Sequence, residues 1–254
     1  MADAETRRAA ILQRLQQHGT VHVTRLAAEL GVTEVTIRRD LAALEREGLL
    51  VRFHGGAVLP HVLVPDVPFQ SKLQARQEEK QRIAAAAAAL VPDGATVALG
   101  AGTTVAAVAR ALAGKTGLTV VTNAVNIAWE MSFRPEVQLL VTGGRVRDES
   151  LCMVGPTAEE ALRTVAVDIA FVGVNGISPE FGFTTPNQEE AQVHRLMLSR
   201  ARRGVVVADS SKFGRVAFAL VASLRQVRTL ITDAGAPPDL VEELRRAGIE
   251  VLLV

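Results

Sequence analysis

Apolar positions along the chain follow two rhythms that change near residue 60. In the first part they recur at helical spacing. Ala10, Ile11 and Leu15 predict a helix over 7–17, ended by Gly19. Val21-His22-Val23 reads as a short extended piece, and Thr24 as the cap of a second helix, RLAAEL (25–30), closed by Gly31. Thr33 caps a third helix with Glu34 at its positive end. On that third helix Ile37, Leu41 and Leu44 form the buried stripe. Val35, Arg39, Ala42 and Arg46 lie opposite, flanked by Thr36, Arg38 and Ala43. Leu49–Arg52 and Ala57–Leu59 then predict two strands joined through Phe53-His54-Gly55-Gly56, a hairpin.

Pro60, Pro65 and Pro68 surround or interrupt HVLVPDVPFQ (61–70), which fits neither helix nor central strand and predicts an extended linker. Beyond it, continuous apolar runs at 96–99, 118–122, 137–142, 168–174, 205–208, 229–232 and 249–254 predict strands. Helical stretches at Ala75–Leu90, Thr103–Leu112, Asn126–Met131, Asn187–Arg202 and Pro237–Ala247 lie between several of them. Strands alternating with helices predict a parallel sheet covered on both faces. The expected organisation is a helical module over 1–60, a linker over 61–70 and an α/β domain over 71–254. The alanine run Ala84–Ala89 reads as a helix packed close to its neighbour, not as low complexity.

Composition narrows the function. The 254 residues are 48% hydrophobic, yet no apolar run reaches the ~18 residues of a membrane span. The charged start MADAETRRAA lacks the apolar core of an export signal, and a soluble cytoplasmic protein is expected. One cysteine, Cys152, excludes an internal disulfide framework and a cysteine-clustered zinc site, and no cofactor is expected. A net charge of +1 means that any DNA contact comes from a local patch. Four lysines, Lys72, Lys80, Lys115 and Lys212, stand among 28 basic residues, so each position is informative. With no tyrosine and one tryptophan, extended stacking on single-stranded nucleic acid is not expected.

Two helices separated by Gly31-Val32 have the spacing of a helix-turn-helix. The polar face of the third helix carries guanidinium donors for guanine edges and phosphates, and small residues where backbone and duplex approach. The competing reading is a solvated arginine face. The hairpin with Arg52 and His54 at its tip sits where a winged helix-turn-helix carries its wing. The run ELGVTEVTIRRDLAALEREGLLVRFHGGAV (29–58) resembles the N-terminal module of the DeoR family of transcriptional regulators. The resemblance implies operator binding through the third helix, with Thr36, Arg38 and Arg39 at the DNA. The full candidate contact set is Thr33, Val35, Thr36, Arg38, Arg39, Arg52 and His54.

In an open parallel sheet, ligands collect at the carboxyl ends of strands. Here those ends carry Gly102-Thr103-Thr104, Thr122-Asn123, Gly143-Gly144-Arg145, Asn175 and Asp209 with Lys212. The pattern predicts a pocket for a phosphorylated, polyhydroxylated small molecule. Gly102-Thr103-Thr104 would hold phosphate on a helix dipole, Lys212 would supply countercharge, and Asn123, Asn175 and Asp209 would serve hydroxyls. No Gly-Lys-Ser/Thr follows Gly100-Ala101-Gly102, so this is not a P-loop, and no further spaced glycine makes a dinucleotide fingerprint. GTT (102–104), TNA (122–124), TGG (142–144), GFTTPNQEEA (182–191) and ADSSKF (208–213) resemble the sugar-phosphate sensor domain of the same family. That resemblance implies a fold similar to ribose-5-phosphate isomerase and a sugar-phosphate effector. The family commonly has an aspartate where this chain has Gly100, and a lysine where it has His194. Losing the aspartate removes a hydroxyl acceptor or a would-be catalytic carboxylate.

Other chemistry-bearing residues have blander readings. His18 and His22 are four apart, but Gly19 between them breaks the helix a metal pair would need. His194 reads as a surface residue, Cys152 as a buried small side chain, and Lys80 as pairing along its helix. Arg145, Arg147, Asp148 and Glu149 read as a solvated charged loop or the mouth of the pocket. The expectation is a DNA-binding regulator, a repressor of a carbohydrate operon, whose grip on double-stranded operator DNA responds to a phosphorylated sugar, acting as a homo-oligomer off the membrane. Its rivals are a sugar-phosphate isomerase fused to a DNA-binding module, with Asp168, Asp209 or Glu190 as base, and a nucleoid-type binder without effector.

Overall fold

The computed structural model of the chain describes residues 4–18, 20–53, 55–58 and 64–254. The chain divides into two compact units, Met1–Val64 and Pro65–Val254.

The first unit contains α1 (Ala4–His18), β1 (Thr20–His22), α2 (Val23–Leu30), α3 (Glu34–Arg46), β2 (Val51–Phe53) and β3 (Gly56–Val58). Ile11, Leu15, Leu26, Ile37, Leu41, Leu44 and Leu50 meet in one small core. Gly31 takes the left-handed conformation (φ 63°) that turns α2 into α3 at little steric cost. Thr33 caps α3 by accepting the Thr36 N–H. Two local expectations change. Helix α2 begins at Val23, so Thr24 lies inside it, and its hydroxyl donates to Glu34 instead of capping. Ala43 is buried, because the core-facing stripe of α3 is wider than Ile37, Leu41 and Leu44 alone. Asp40, also buried, binds Arg7 and Arg8 of α1 and fastens the two helices. The hairpin pairs Val51 with Val58, Arg52 with Ala57 and Phe53 with Gly56. β1, which overlaps the extended piece predicted over 21–23, adds to β3 on its other side, a pairing the apolar pattern did not predict. Gly19, His54, Leu59 and the first three linker positions lie outside the described residues.

In the second unit, the residues up to Pro68 have no regular structure. Helix α4 (Phe69–Leu73) then begins, inside the predicted linker, because Phe69 inserts into the core. Next come α5 (Gln77–Ala89), β4 (Thr96–Leu99), α6 (Thr103–Ala111), β5 (Thr119–Thr122), α7 (Val125–Ser132) and β6 (Gln138–Val141). They are followed by β7 (Arg145–Arg147), β8 (Cys152–Val154), α8 (Pro156–Arg163), β9 (Val167–Gly173), β10 (Gly176–Ser178) and β11 (Gly182–Thr185). The chain ends with α9 (Gln188–Ser199), β12 (Ala201–Val207), β13 (Ala219–Ala222), β14 (Thr229–Thr232), α10 (Pro238–Arg246) and β15 (Glu250–Leu253).

Seven strands form a parallel sheet in the order β15-β14-β12-β9-β4-β5-β6. Consecutive residues are buried along β4, β9 and β14, as expected of strands covered on both faces. Small residues let α5 and α6 pack closely, with Ala84, Ala87 and Ala88 facing the core from one and Val105, Ala106 and Ala109 from the other. The chain leaves β4 toward β5 and β6 and later returns to the other side of β4 with β9. The β4–β9 boundary is therefore the topological switch point, the place where open α/β sheets generally bind ligands at the carboxyl edge. Three short strands, β10-β11-β13, and the ribbon β7-β8 sit in stretches where no strand was predicted. The predicted helix 187–202 overshoots, since α9 stops at Ser199 and β12 starts at Ala201.

Candidate functional site

On α3, Val35 is 61% exposed, and Arg38 and Arg39 are exposed beside it. Arg38 pairs with Glu34 one turn back at 2.9 Å, whereas Arg39 makes no ion pair or hydrogen bond among the described residues. Thr33 and Thr36 link their hydroxyls at 3.0 Å at the start of the helix. An exposed apolar side chain beside a guanidinium with no protein partner among the described residues suits insertion against base edges and phosphates. Arg52 differs from expectation. Its Nε donates to Glu45 of α3 at 2.7 Å and its N–H to the same carboxylate, so it braces the hairpin against the helix.

The five strand ends singled out in the sequence belong to β12, β9, β4, β5 and β6, which are consecutive neighbours in the sheet. The predicted effector residues are thereby brought to one edge, but they do not act alike. Gly102 (φ 131°) opens α6, and the Thr103 and Thr104 hydroxyls behind it are largely buried with no hydrogen bond among the described residues. The first-turn N–H groups of α6 point out of the helix at that same place. Gly144 must lack a side chain, because a Cβ there would stand 2.6 Å from the Val154 carbonyl oxygen; Gly143 beside it is also left-handed. Lys212 stands on the 3-10 turn Ser210–Lys212 after β12. Burial lowers the pKa of its ammonium, Asp209 opposes that, and Lys72, Arg215 and Arg76 add to it. It makes no hydrogen bond or ion pair among the described residues.

Other predicted ligands are occupied by the scaffold. Thr122 donates to Leu99 O at 2.7 Å and accepts the Ala124 N–H, so its hydroxyl ties β5 to β4. Asn123 donates to Met153 O at 3.1 Å and leaves its own side-chain oxygen buried without a partner. Asn175 accepts from Thr185, and exposed Arg145 pairs with Glu189. Asp209 accepts from Ser211 and lies 3.7 Å from Arg76, so it caps the 3-10 turn instead of facing a hydroxyl.

Three residues read as surface groups are buried. His194 is fully buried, and its Nε2 accepts the Ala101 N–H at 3.3 Å. Helix α9 packs on β8, β9, β12 and β13, and its buried residues Glu190, Ala191, His194, Met197 and Leu198 repeat at helical spacing. That stripe is legible in the sequence and points to a buried His194, not a surface one. A Cβ at position 100 would stand 3.0 Å from the His194 Nε2, so the glycine and the histidine accommodate each other. Lys80 donates to Lys72 O at 2.6 Å and Ala75 O at 2.5 Å, closing the turn between α4 and α5 instead of pairing along its helix. Its place on the stripe of Ile83, Ala84 and Ala87 was the available signal. Arg147 is not in a solvated loop: it binds Glu190 at 2.9 Å, Ser150 at 3.2 Å, and Asp66 and Glu149. Cys152 lies beside Ser150 and Glu190, and burial pushes its thiol up to about 12.

Family models match both halves: the DeoR-like helix-turn-helix domain over residues 7–62 and the DeoR C terminal sensor domain over 75–234. A protein of Escherichia coli O157:H7 assigned as an aga operon transcriptional repressor is 40% identical over 98% of this chain and 93% of its own. The glycerol-3-phosphate regulon repressor of Escherichia coli K12 is 31% identical over 96% of each chain. Among solved structures, ribose 5-phosphate isomerase A from Methanocaldococcus jannaschii aligns over 55% of each chain with 20% identity and a TM-score of 0.41.

Burial holds the His194 pKa below the ordinary 6.5, against a smaller opposing pull from Glu190 and the Gly173 main chain. Below about pH 6.5 the unfolded chain takes up a proton that the folded chain does not, so stability is lost as pH falls. Thermal melts between pH 7 and 5 are expected to show a shallower decline for His194→Gln than for the parent, by up to about 1.4 kcal/mol per pH unit. Parallel profiles would remove the histidine from the explanation. The α6 terminus, the half-buried lysine and the exposed arginines of the third helix occur in a chain that belongs to the DeoR family of transcriptional regulators.

Proposed function

We propose that the chain represses a carbohydrate-metabolism operon and that a phosphorylated sugar, bound at the strand-end crevice, modulates its affinity for double-stranded operator DNA. The observation that carries this reading is Lys212, a desolvated ammonium without a direct anionic partner among the described residues, on the sheet edge where the Thr103 and Thr104 hydroxyls are unengaged. Leaving a charge partly dehydrated costs free energy unless an anion completes the site. A phosphate on the α6 N-terminus with Lys212 as countercharge does so. The relative whose name includes glycerol-3-phosphate supports a phosphorylated effector.

The protein acts without catalysis in this reading. An isomerase needs a carboxylate base poised over a sugar carbon. Position 100 has none. Asp168 accepts the Thr96 N–H at the amino end of the strands, the far edge from the crevice. Asp209 caps a turn, and Glu190 is paired with Arg147. The residues proposed to touch DNA are Thr33, Val35, Thr36, Arg38 and Arg39. Arg52 contributes only if it releases Glu45, and His54 lies outside the described residues. No helix among the described residues is long and apolar enough to cross a membrane, and an operator-binding repressor would work in the cytoplasm.

A second copy of the chain is part of the proposal, since paired half-sites call for paired readers. Trp129 and Phe133, 68% and 66% exposed, stack edge to face on α7. The neighbouring edge strand β6 exposes Leu140 and Val141 and carries no charged residue to discourage pairing. At the opposite edge, β15 begins with Glu250 paired to Arg203.

Arg39→Ala is expected to weaken specific operator binding by about 1–3 kcal/mol if the guanidinium reads a base. If it holds only phosphate, the loss is equal on all sequences and the salt slope falls by about one unit. Lys212→Ala should cost about 1.5–3 kcal/mol of sugar-phosphate affinity in calorimetry. An unchanged response of operator binding would instead favour a binder without effector. Light scattering at micromolar concentration should give a dimer or larger species, and Trp129→Lys should shift it toward monomer; a monomeric parent would end the paired-reader view.

A further inference from the structure

We propose that the crevice takes a sugar bisphosphate, with one phosphate on the Gly102-Thr103-Thr104 turn beside Lys212 and the second among Lys72, Arg76 and Arg215. The inference rests on the sugar-phosphate reading above and adds a second anionic group to the ligand.

The connection between α4 and α5 is folded onto the end of β12. Lys80 fixes it by bonding to two of its carbonyls, Lys72 O and Ala75 O. Arg76 adopts a left-handed backbone (φ 52°), an uncommon conformation for a side chain that is not glycine. From there its guanidinium reaches Ser210 at 3.1 Å and Asp209 at 3.7 Å. The same fold brings Lys72 close enough to repel both Lys80 and Lys212, and Arg215 adds to the repulsion on Lys212 from beyond the turn. Five cations therefore crowd a place where the acidic groups acting on buried Lys80 and half-buried Lys212 are Asp209 and Glu79. One phosphate ester, with about −1.5 to −2 charge, leaves much of that field unanswered.

Separation points the same way. β12 and β4 flank β9 in the sheet, so their ends stand about 9–10 Å apart. The first phosphate would sit on the helix that follows β4, whereas Arg76 reaches Ser210 and Asp209 at the end of β12, two strands away. A five- or six-carbon sugar esterified at both ends spans such a gap and meets both sets of groups. Lys72 is half-buried while Arg76 and Arg215 are exposed, so the second phosphate would sit nearer solvent than the first.

The test titrates the full-length protein with matched pairs: ribulose 5-phosphate against ribulose 1,5-bisphosphate, and fructose 6-phosphate against fructose 1,6-bisphosphate. At least one bisphosphate should bind about tenfold or more tightly than its monophosphate, the scale of added charge-assisted contacts. Lys72→Gln/Arg215→Gln should reduce that advantage to less than about threefold while monophosphate binding persists. The charge-conserving Lys72→Arg/Arg215→Lys should keep it, and both variants should melt like the parent without ligand. If monophosphates bind and no bisphosphate gains, the second subsite is wrong and the sugar-phosphate reading stands. If none of the four binds, both fall. A bisphosphate advantage that survives the glutamine variant also overturns the assignment, since other groups then hold the second phosphate.

Discussion

A parallel sheet delivers every strand end to the same edge, and each end must hand its chain to a helix or loop without stranding polar groups. In the second unit five adjacent ends meet this demand with glycines, hydroxyls and amides, and the strand order reverses between β4 and β9. Electrostatics supplies the rest. The N–H groups at the start of α6 and the partly dehydrated ammonium on Lys212 are both groups that an anion would suit, which is the basis of the proposed effector site. A ligand that binds one conformation of such an edge better than another shifts the balance between them.

Much of the scaffold was legible because long apolar strands and capped helices are local properties. The strands at 96–99 and 229–232 fall where the apolar runs predict, and Gly31 and Thr33 perform the turn and the cap their residue types suggest. What escaped was decided by distant partners. β7, β8, β10, β11 and β13 are short and gain strand geometry only by pairing with one another. Nothing in the neighbourhood of Arg147 announces that Asp66 and Glu190, far off in sequence, will enclose it.

The candidate crevice shows the same division. Residue types at strand ends were a sound guide to place and a poor guide to duty. Thr122 and Asn123 lie at the predicted edge, yet their hydrogen bonds go to Leu99 and Met153 and hold the frame. Conversely, Lys72, Arg76 and Lys80 come from a segment that reads as an ordinary helix start, and they reach the edge only through the turn between α4 and α5. His194 falls between these cases. Its helical stripe could be read from the chain, but its partnership with Gly100 requires the packed structure.

The shielded sulfur of Cys152 has a practical corollary. A thiol with its proton held to about pH 12 and no exposed surface offers almost no thiolate to alkylating reagents or oxidants. The native chain is therefore silent toward maleimide dyes and spin labels under ordinary conditions. A cysteine introduced on either unit would report alone, and two would form a distance ruler without first removing the natural one.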